Sequence, residues 1–320
     1  MNIYPWHKSL MEKLLERKNA LPHALLLRGR SGTGKLDFAM HFSRSLLCES
    51  PLDSGQACGT CAACNWFSNA LHPDFRKIEP EGENGSANRI TIDQIRALSD
   101  FMGKTTHRNG YRIVLIHPAE AMNQNAGNAL LKTLEEPQGK SLFILVTSKP
   151  GRLLPTILSR CQSVVMPIPS LIEAESWLEN EGIADPEKFL AESGNAPLLA
   201  REIAQGDPLL RDRFLSDISS NEPDALSIAE FFQKSDLSML VSWMQKWCHD
   251  LSSFAFCGKI RYFPGMSERI RNHSTGMDKV ELARFQRKLC EAQKASTHPV
   301  NPRLFIEELI LSYKGITAHR

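Results

Sequence analysis

The sequence predicts an α/β domain at the N-terminal end of the chain and an all-helical part at the C-terminal end. Over residues 1–166, short aliphatic segments alternate with segments of helical periodicity, which is typical of a parallel sheet covered by helices. A glycine-rich loop at residues 29–36 separates the first aliphatic segment from the helix that follows it. Beyond Met166 the strand pattern stops and helical periodicity continues. We therefore expect a three-layer α/β domain followed by helices alone.

Each element of the α/β domain is predicted from a local pattern. The predicted strands, in chain order, are 24–28, 74–79, 112–116, 142–147 and 163–166. The predicted helices are 35–47, 91–103, about 125 up to the residue before Pro137, and 153–159. Thr91 with Gln94 forms a capping box, which predicts the start of the second helix. The polar, glycine-containing segment 81–88 is predicted to be a mobile loop.

The C-terminal part begins with a linker at residues 167–170, where two prolines break the pattern. Ser170 and Glu173 then form a second capping box. We expect three domains: 1–166, a small helical domain at 167–207, and a larger helical domain at 208–320. The larger domain contains apolar residues at helical spacing, among them Leu240, Met244, Trp247 and Leu251.

Composition narrows the class of protein. The 320 residues carry 38 basic and 36 acidic side chains, a net charge of +2. This balance argues against a surface built as a whole for nucleic acid, although a few phosphate contacts remain compatible with it. No apolar run approaches the roughly 18–20 residues that span a bilayer, and residues 1–18 lack a signal-peptide core. We therefore expect a cytoplasmic protein without membrane contact, whose eight cysteines are mostly reduced.

The glycine-rich loop is of the kind that binds nucleotide phosphates. Its candidate binding residues are Gly29, Gly32, Gly34 and Lys35, because backbone amides can surround phosphates there and the lysine can reach the terminal ones. A working loop places Ser or Thr after the lysine to hold magnesium, and this chain has Leu36.

A second departure lies at the end of strand 112–116. An Asp followed by a Glu is expected there, and the sequence has His117 and Pro118, with Glu120 three residues beyond His117. Two interpretations of the loop stay open: weak nucleotide binding without turnover, or a loop retained because the turn needs glycines. ATP is therefore a doubtful cofactor, and no intrinsic ATPase activity is expected.

Four cysteines form a candidate metal site. Cys58, Cys61 and Cys64 are spaced as a doubled C-x-x-C, and Cys48 lies ten residues before the first of them. Such spacing lets thiolates converge on one tetrahedral ion, and four sulfur ligands select zinc. His72 is an alternative fourth ligand, although an all-sulfur site fits better. A closed site of four ligands in a module at about 48–72 is expected to be structural.

The order of the motifs resembles the clamp-loader subunits of bacterial DNA polymerase III. The matching stretches are 21–24 running into the glycine-rich loop, the cysteine insertion directly after its helix, 128–137, and 147–148 leading to 156–161. Gly194-Asn-Ala-Pro197 and Asn301-Pro-Arg-Leu304 are more weakly similar to the family's lid and collar segments. The resemblance covers most of residues 21–167.

This resemblance implies a P-loop AAA+ module with a zinc-binding insertion, a helical lid, and an all-α collar that joins subunits into a ring. In such rings each ATP lies at a junction, and the neighbour supplies an arginine from a Ser-Arg-Cys motif, which here is Arg160. The departures at Leu36 and His117 imply a non-hydrolysing subunit of the polymerase holoenzyme. Its implied partners are the gamma/tau ATPase and delta subunits, with the sliding clamp and primed DNA reached through the assembled complex.

Two other functions are compatible with parts of the pattern. The first is an active clamp-loader ATPase with unusual metal ligands, because a motif can be present in altered form. The second is a zinc-dependent nucleic-acid adaptor unconnected with a loader. The near-neutral charge and the lack of a basic, aromatic stripe argue against the adaptor.

Overall fold

In the computed structural model the chain divides into two compact units, Met1–Glu173 and Ala174–Arg320. The structure describes residues 3–81, 89–103, 110–137, 139–220, 222–275 and 277–317. The loop predicted at 81–88 lies, apart from Glu81, outside the described residues. Within the part of the chain that is described, no helix is long and apolar enough to cross a lipid bilayer.

The first unit is built on a five-stranded parallel sheet with the order β2-β3-β4-β1-β5. Its strands are β1 (Ala24–Arg28), β2 (Phe75–Ile78), β3 (Arg112–Ile116), β4 (Ser141–Thr147) and β5 (Gln162–Val165). Every predicted strand is present, with its ends displaced by at most one residue. All residues of β3 and β4 are buried, because helices cover both faces of the sheet. The α/β prediction is confirmed.

The helices of the first unit form a layer on each face of the sheet. They are α1 (Lys8–Glu16), α2 (Lys35–Leu47), α3 (Ala62–Ser68), α4 (Ile92–Met102), α5 (Gln124–Glu135) and α6 (Pro155–Leu158). Alternate strand residues enter two separate apolar clusters: Leu25 packs with α1 and α2, and Leu26 packs with α4, α5 and α6. This alternation follows from the period of two along a strand.

Local capping explains where several helices begin. The amide of Gln94 donates to the hydroxyl of Thr91 at 3.4 Å, and the Gln94 side chain accepts from the Thr91 amide at 2.9 Å. The sequence does not predict α1 or α3. The first lacks a capping side chain and is held by Met11 and Leu15, which are buried, whereas α3 is capped by Cys61, whose sulfur accepts from the Cys64 amide.

The second unit is helical, as predicted. Its helices, the first of which begins just before the unit boundary, are α7 (Leu171–Asn180), α8 (Pro186–Ser193), α9 (Pro197–Gln205), α10 (Pro208–Ile218), α11 (Ala225–Phe232), α12 (Leu237–Cys257), α13 (Ser267–Ser274), α14 (Lys279–Ala295) and α15 (Pro302–Thr317). A small apolar cluster joins α7, α8 and α9, and a large one joins α10 to α15. The predicted apolar face of α12 lies in the large cluster, where the Trp247 indole donates to the Tyr313 hydroxyl at 2.8 Å.

A buried ion pair crosses the position where the sequence predicts a domain boundary. Arg211 on α10 lies 2.5 Å from Glu192 on α8, and the two side chains are 2% and 1% exposed. Burial of this kind requires a partner for each charge, because an unpaired ion away from water is costly. The division into domains 167–207 and 208–320 stays a prediction. The ion pair joins the two predicted domains.

Candidate functional site

The glycine-rich loop joins the carboxyl end of β1 to α2. In parallel sheets, ligand-binding groups lie at the carboxyl ends of the strands. Gly32 and Gly34 have φ angles of +72° and +84°, a region that L side chains rarely adopt. A Cβ atom at Gly34 would lie 2.4 Å from the ring of Tyr4. Glycine is therefore required at both positions for the backbone conformation of the loop, and at Gly34 also because the Tyr4 ring lies directly against it.

Lys35 turns onto its own loop. Its ammonium donates a hydrogen bond of 2.5 Å to the carbonyl of Arg30, and the residue is 5% exposed. Burial lowers the pKa of Lys35, and the charge of Glu120 acts in the opposite direction. Leu36, at the position of the magnesium-binding hydroxyl, packs against the apolar cluster of α1 and α2. The two positions that should meet phosphate and metal are therefore engaged within the chain.

The aromatic N-terminal segment, residues 4–7, lies on this loop. The Tyr4 hydroxyl donates to the carboxylate of Asp37 at 2.8 Å, and the Trp6 indole donates to the carbonyl of Thr33 at 2.9 Å. The Tyr4 and Trp6 rings are parallel, with centroids 5.1 Å apart. Sequence reasoning missed this segment because no motif of the loop extends to it.

His7 closes the same region as a neutral ring. It is fully buried, and neither ring nitrogen has a hydrogen-bond partner among the described residues. Its ring meets Phe38 edge to face at 5.3 Å. Burial, followed by the charge of Lys35, lowers the pKa of His7 to about 4. At neutral pH the imidazole is therefore uncharged and packs beside the lysine as an apolar group.

The carboxyl end of β3 carries no acid at the position where a metal-organising Asp is expected. The amide of His117 donates to the carbonyl of Ile78 at 3.0 Å, and burial lowers the pKa of its imidazole. Glu120, in the turn that follows, accepts a hydrogen bond of 3.1 Å from the amide of Ser148. The Glu120 carboxylate is thus bound to the backbone that follows β4.

Arg160 lies just after α6, near the surface. Its Nη1 atom donates to the Thr156 carbonyl at 3.1 Å and to the Ser159 hydroxyl at 3.4 Å. Its Nη2 atom lies 2.5 Å from Oε1 of Glu135, the last residue of α5, and the two side chains are 36% and 49% exposed. Sequence reasoning named Arg160 and did not connect it with Glu135, since 25 residues separate them.

The four cysteines lie together between α2 and β2. The sulfur atoms of Cys48, Cys58, Cys61 and Cys64 all lie within 4.8 Å of one another, and together they could hold one metal ion. Backbone amides of residues 58, 61 and 64 donate to three of these sulfurs at 3.3–3.4 Å. Amide donors at Thr60 and Cys61 lower the pKa of Cys58 to about 6. The local fold thus favours a thiolate at that position.

His72, the alternative fourth ligand, does not belong to this group of sulfur atoms. Its Nδ1 atom accepts a hydrogen bond of 3.1 Å from the amide of Asp74, in the turn before β2. Asp74 in turn pairs with Arg112 at 3.3 Å, and both side chains are buried. The imidazole is therefore positioned by the turn, while Cys48 lies with the other three cysteines.

The sequence is similar to those of subunits of bacterial DNA polymerase III. The model of the family described as DNA polymerase III, delta subunit, matches residues 6–169. The chain is 38% identical to the DNA polymerase III subunit delta' of Pseudomonas aeruginosa over 254 residues, covering 77% of this chain and 76% of that protein. It is 33% identical to the delta' subunit of Escherichia coli over 212 residues, covering 65% of this chain and 62% of that protein. Among solved structures, a protein related to the DNA polymerase III gamma subunit from Thermotoga maritima aligns over 97% of this chain and 99% of its own length, with 20% identity and a TM-score of 0.48.

Proposed function

The chain belongs to the delta-prime family of subunits of the bacterial DNA polymerase III clamp loader, and on that basis we propose that it acts in the loader without hydrolysing ATP itself. One observation carries this proposal: the phosphate-binding lysine, Lys35, donates to the carbonyl of Arg30 within its own loop. Leu36 and His117 stand where magnesium would need oxygen ligands. Phosphoryl transfer depends on that metal to neutralise charge, so its loss removes turnover.

The N-terminal segment supports the interpretation of the loop as a silent site. To bind nucleotide phosphates, the Lys35 ammonium would have to leave the Arg30 carbonyl. The neighbouring His7 ring, which stays uncharged at neutral pH, would add no positive charge for the phosphates. Trp6 in addition holds the loop through its hydrogen bond to Thr33, and Tyr4 holds the start of α2 through its hydrogen bond to Asp37. Weak nucleotide binding would have to overcome these contacts, which favours a loop retained for its structure.

Arg160 is proposed to complete the ATP site of a neighbouring subunit. It belongs to the Ser159-Arg160-Cys161 motif, lies near the surface of the first unit, and carries a planar, permanently charged fork suited to phosphate oxygens. The subunit would then contribute to catalysis in the ring while its own loop is silent. The proposed neighbour is the gamma/tau ATPase.

Zinc is the proposed metal of the four-cysteine module. A tetrahedral zinc site with Zn–S bonds of about 2.3 Å has sulfur atoms about 3.8 Å apart. The Cys48 sulfur lies 3.6 Å from that of Cys58 and 3.8 Å from that of Cys61. Four protein ligands leave no open coordination position, so the ion would stabilise the segment between α2 and β2 and take no part in catalysis.

Assembly with the other subunits is assigned to the larger helical part of the second unit. Its last helix, α15, exposes Leu304 and Leu311, which are 61% and 58% exposed and lie two turns apart on the same side. Apolar side chains of this size are suited to burial against another chain. The proposed partners are gamma/tau and delta, and the assembled cytoplasmic complex would act on the sliding clamp and primed DNA.

The test is ATP hydrolysis by a loader reconstituted from the subunits of the same genome. We expect Arg160→Ala to slow ATP hydrolysis at the junction that Arg160 completes, on the order of 10³- to 10⁵-fold. The total turnover should fall by less, because other junctions keep their own arginines. Lys35→Ala is the matched control and should leave turnover unchanged. If Lys35→Ala abolished turnover while Arg160→Ala had no effect, the chain would be an active ATPase. If the chain alone shifted labelled DNA at moderate salt, the adaptor function would be favoured.

A further inference from the structure

Within its own chain, Arg160 makes contacts through both terminal nitrogen atoms, the atoms that an arginine finger would direct at phosphate. Nη1 donates to the Thr156 carbonyl and the Ser159 hydroxyl, and Nη2 pairs with the carboxylate of Glu135. We propose that Glu135 is an internal counter-ion that restrains Arg160, so that the nucleotide of the neighbouring subunit must compete with it for the guanidinium. This inference rests on the proposed role of Arg160 as an arginine finger.

Competition follows from the charges involved. A carboxylate and a triphosphate are both anions, and both are recognised by the same planar fork of N–H donors. At 2.5 Å from Nη2, the Glu135 carboxylate occupies the position that a phosphate oxygen would take on that nitrogen. Since like charges at such a distance repel, the guanidinium must leave Glu135 for the nucleotide to take both terminal nitrogens.

The pair is weak enough to be displaced. Arg160 and Glu135 are 36% and 49% exposed, so water screens their attraction. Exposed ion pairs of this kind shift an equilibrium by roughly 1.5- to 5-fold. A bound nucleotide with several negative charges can overcome a bias of that size. The restraint would therefore keep the finger in place in the unassembled chain and yield once the junction contains ATP.

The placement of Glu135 provides its own control. It is the last residue of α5, and the exposed residue Glu136 follows it at the helix end, where its amide donates to the carbonyl of Lys132. Replacing either glutamate with glutamine removes one negative charge from the same helix terminus. Of these two described glutamates, Glu135 pairs with Arg160 and Glu136 does not. An effect of general charge would therefore be the same in both variants.

The experiment measures kcat/KM for ATP in the reconstituted loader. We expect Glu135→Gln to raise it by roughly 1.5- to 5-fold at this junction, with a smaller rise in the total, and Glu136→Gln to leave it unchanged. The double variant Arg160→Ala with Glu135→Gln should match Arg160→Ala alone, because the restraint acts only through the arginine. A role of Glu135 in folding alone would not produce that equality.

Three outcomes would overturn the inference: a lower or unchanged kcat/KM in Glu135→Gln, an equal rise in Glu136→Gln, or a faster double variant than Arg160→Ala. A lower value would instead make Glu135 a residue that positions the finger. These results are separate from failure of the proposed function, which would show as normal turnover in Arg160→Ala. Zinc content and gel filtration of Glu135→Gln check that the variant folds and assembles.

Discussion

The indole nitrogen of Trp6 donates a 2.9 Å hydrogen bond to the carbonyl of Thr33, inside the glycine-rich loop. The contact joins residues 27 positions apart and places an aromatic segment on a loop whose spacing is that of a phosphate site. Together with the Lys35 contact to Arg30, it makes the loop a structural part of the first unit. Whether that loop still binds nucleotide can be measured directly.

We expect the purified chain to show no saturable binding of ATP with magnesium, and Lys35→Ala to be indistinguishable from it. The reason is that Lys35 is engaged by Arg30 and the metal-binding hydroxyl is replaced by Leu36. Equilibrium dialysis with labelled ATP makes the measurement. Saturable binding that disappears in Lys35→Ala would support the alternative of weak binding without turnover.

The stability of the first unit should depend on the protonation of His7. Its pKa falls from 6.5 in the unfolded chain to about 4 in the folded one, so protons bind the unfolded state more readily. The contribution of neutral His7 to the free energy of unfolding is present above pH 6.5 and is lost as the pH falls toward 4. One pKa unit corresponds to about 1.4 kcal/mol, so up to about 3 kcal/mol is at stake. Urea unfolding of His7→Phe should therefore show a smaller loss between pH 7 and 4.5 than the unsubstituted chain. Equal losses in the two proteins would contradict the assignment.

Metal analysis tests the cysteine module. The purified protein should contain one zinc ion per chain, and Cys61→Ser with Cys64→Ser should remove it, because two of four ligands are lost. Limited proteolysis should then cut the segment between α2 and β2. Cys257→Ser, which changes an exposed cysteine outside the cluster, is the control and should retain the metal. Full zinc content in the double variant would exclude this ligand set.

The buried pair between Glu192 and Arg211 should dominate the stability of the helical unit. Glu192→Gln removes the buried carboxylate from Arg211 and leaves it the half-exposed Asp212, 2.7 Å away, so we expect a loss of up to about 3–5 kcal/mol in the free energy of unfolding. Glu181→Gln breaks an ion pair with Arg201 that is 31% and 38% exposed, and should cost no more than about 1 kcal/mol. Urea denaturation followed by circular dichroism compares them. Similar small losses would mean that Asp212 compensates for Glu192.

Assembly should depend on the exposed leucines of α15. Replacing Leu304 and Leu311 with serine changes side chains that already face water, so the free energy of unfolding should change little. Co-elution with the gamma/tau and delta subunits in gel filtration should nevertheless weaken. Phe256→Ser, which alters a residue on α12 that is 72% exposed, is the control. If both variants co-elute normally, the assembly surface lies elsewhere.

The sequence by itself determined the strands of the sheet, the starts of α2, α4, α5 and α7, and the grouping of the four cysteines. Strands β3 and β4 are predicted to within one residue because fully buried aliphatic runs in a parallel sheet need no partner to be recognised. The capping box at Thr91 and the spacing of Cys58, Cys61 and Cys64 involve residues within a few positions of one another. Patterns of this range depend on backbone geometry alone.

Only the tertiary structure decided what surrounds the functional residues. Trp6 meets Thr33, Glu135 meets Arg160, and Glu192 meets Arg211 across 27, 25 and 19 positions. No period or spacing relates such residues, because their distance depends on the path of the intervening strands and helices. Burial then sets their chemistry: it lowers the pKa of His7 and requires a partner for Arg211. A motif identifies Lys35 and Arg160 as candidates, and their packing determines which nitrogen atoms are engaged.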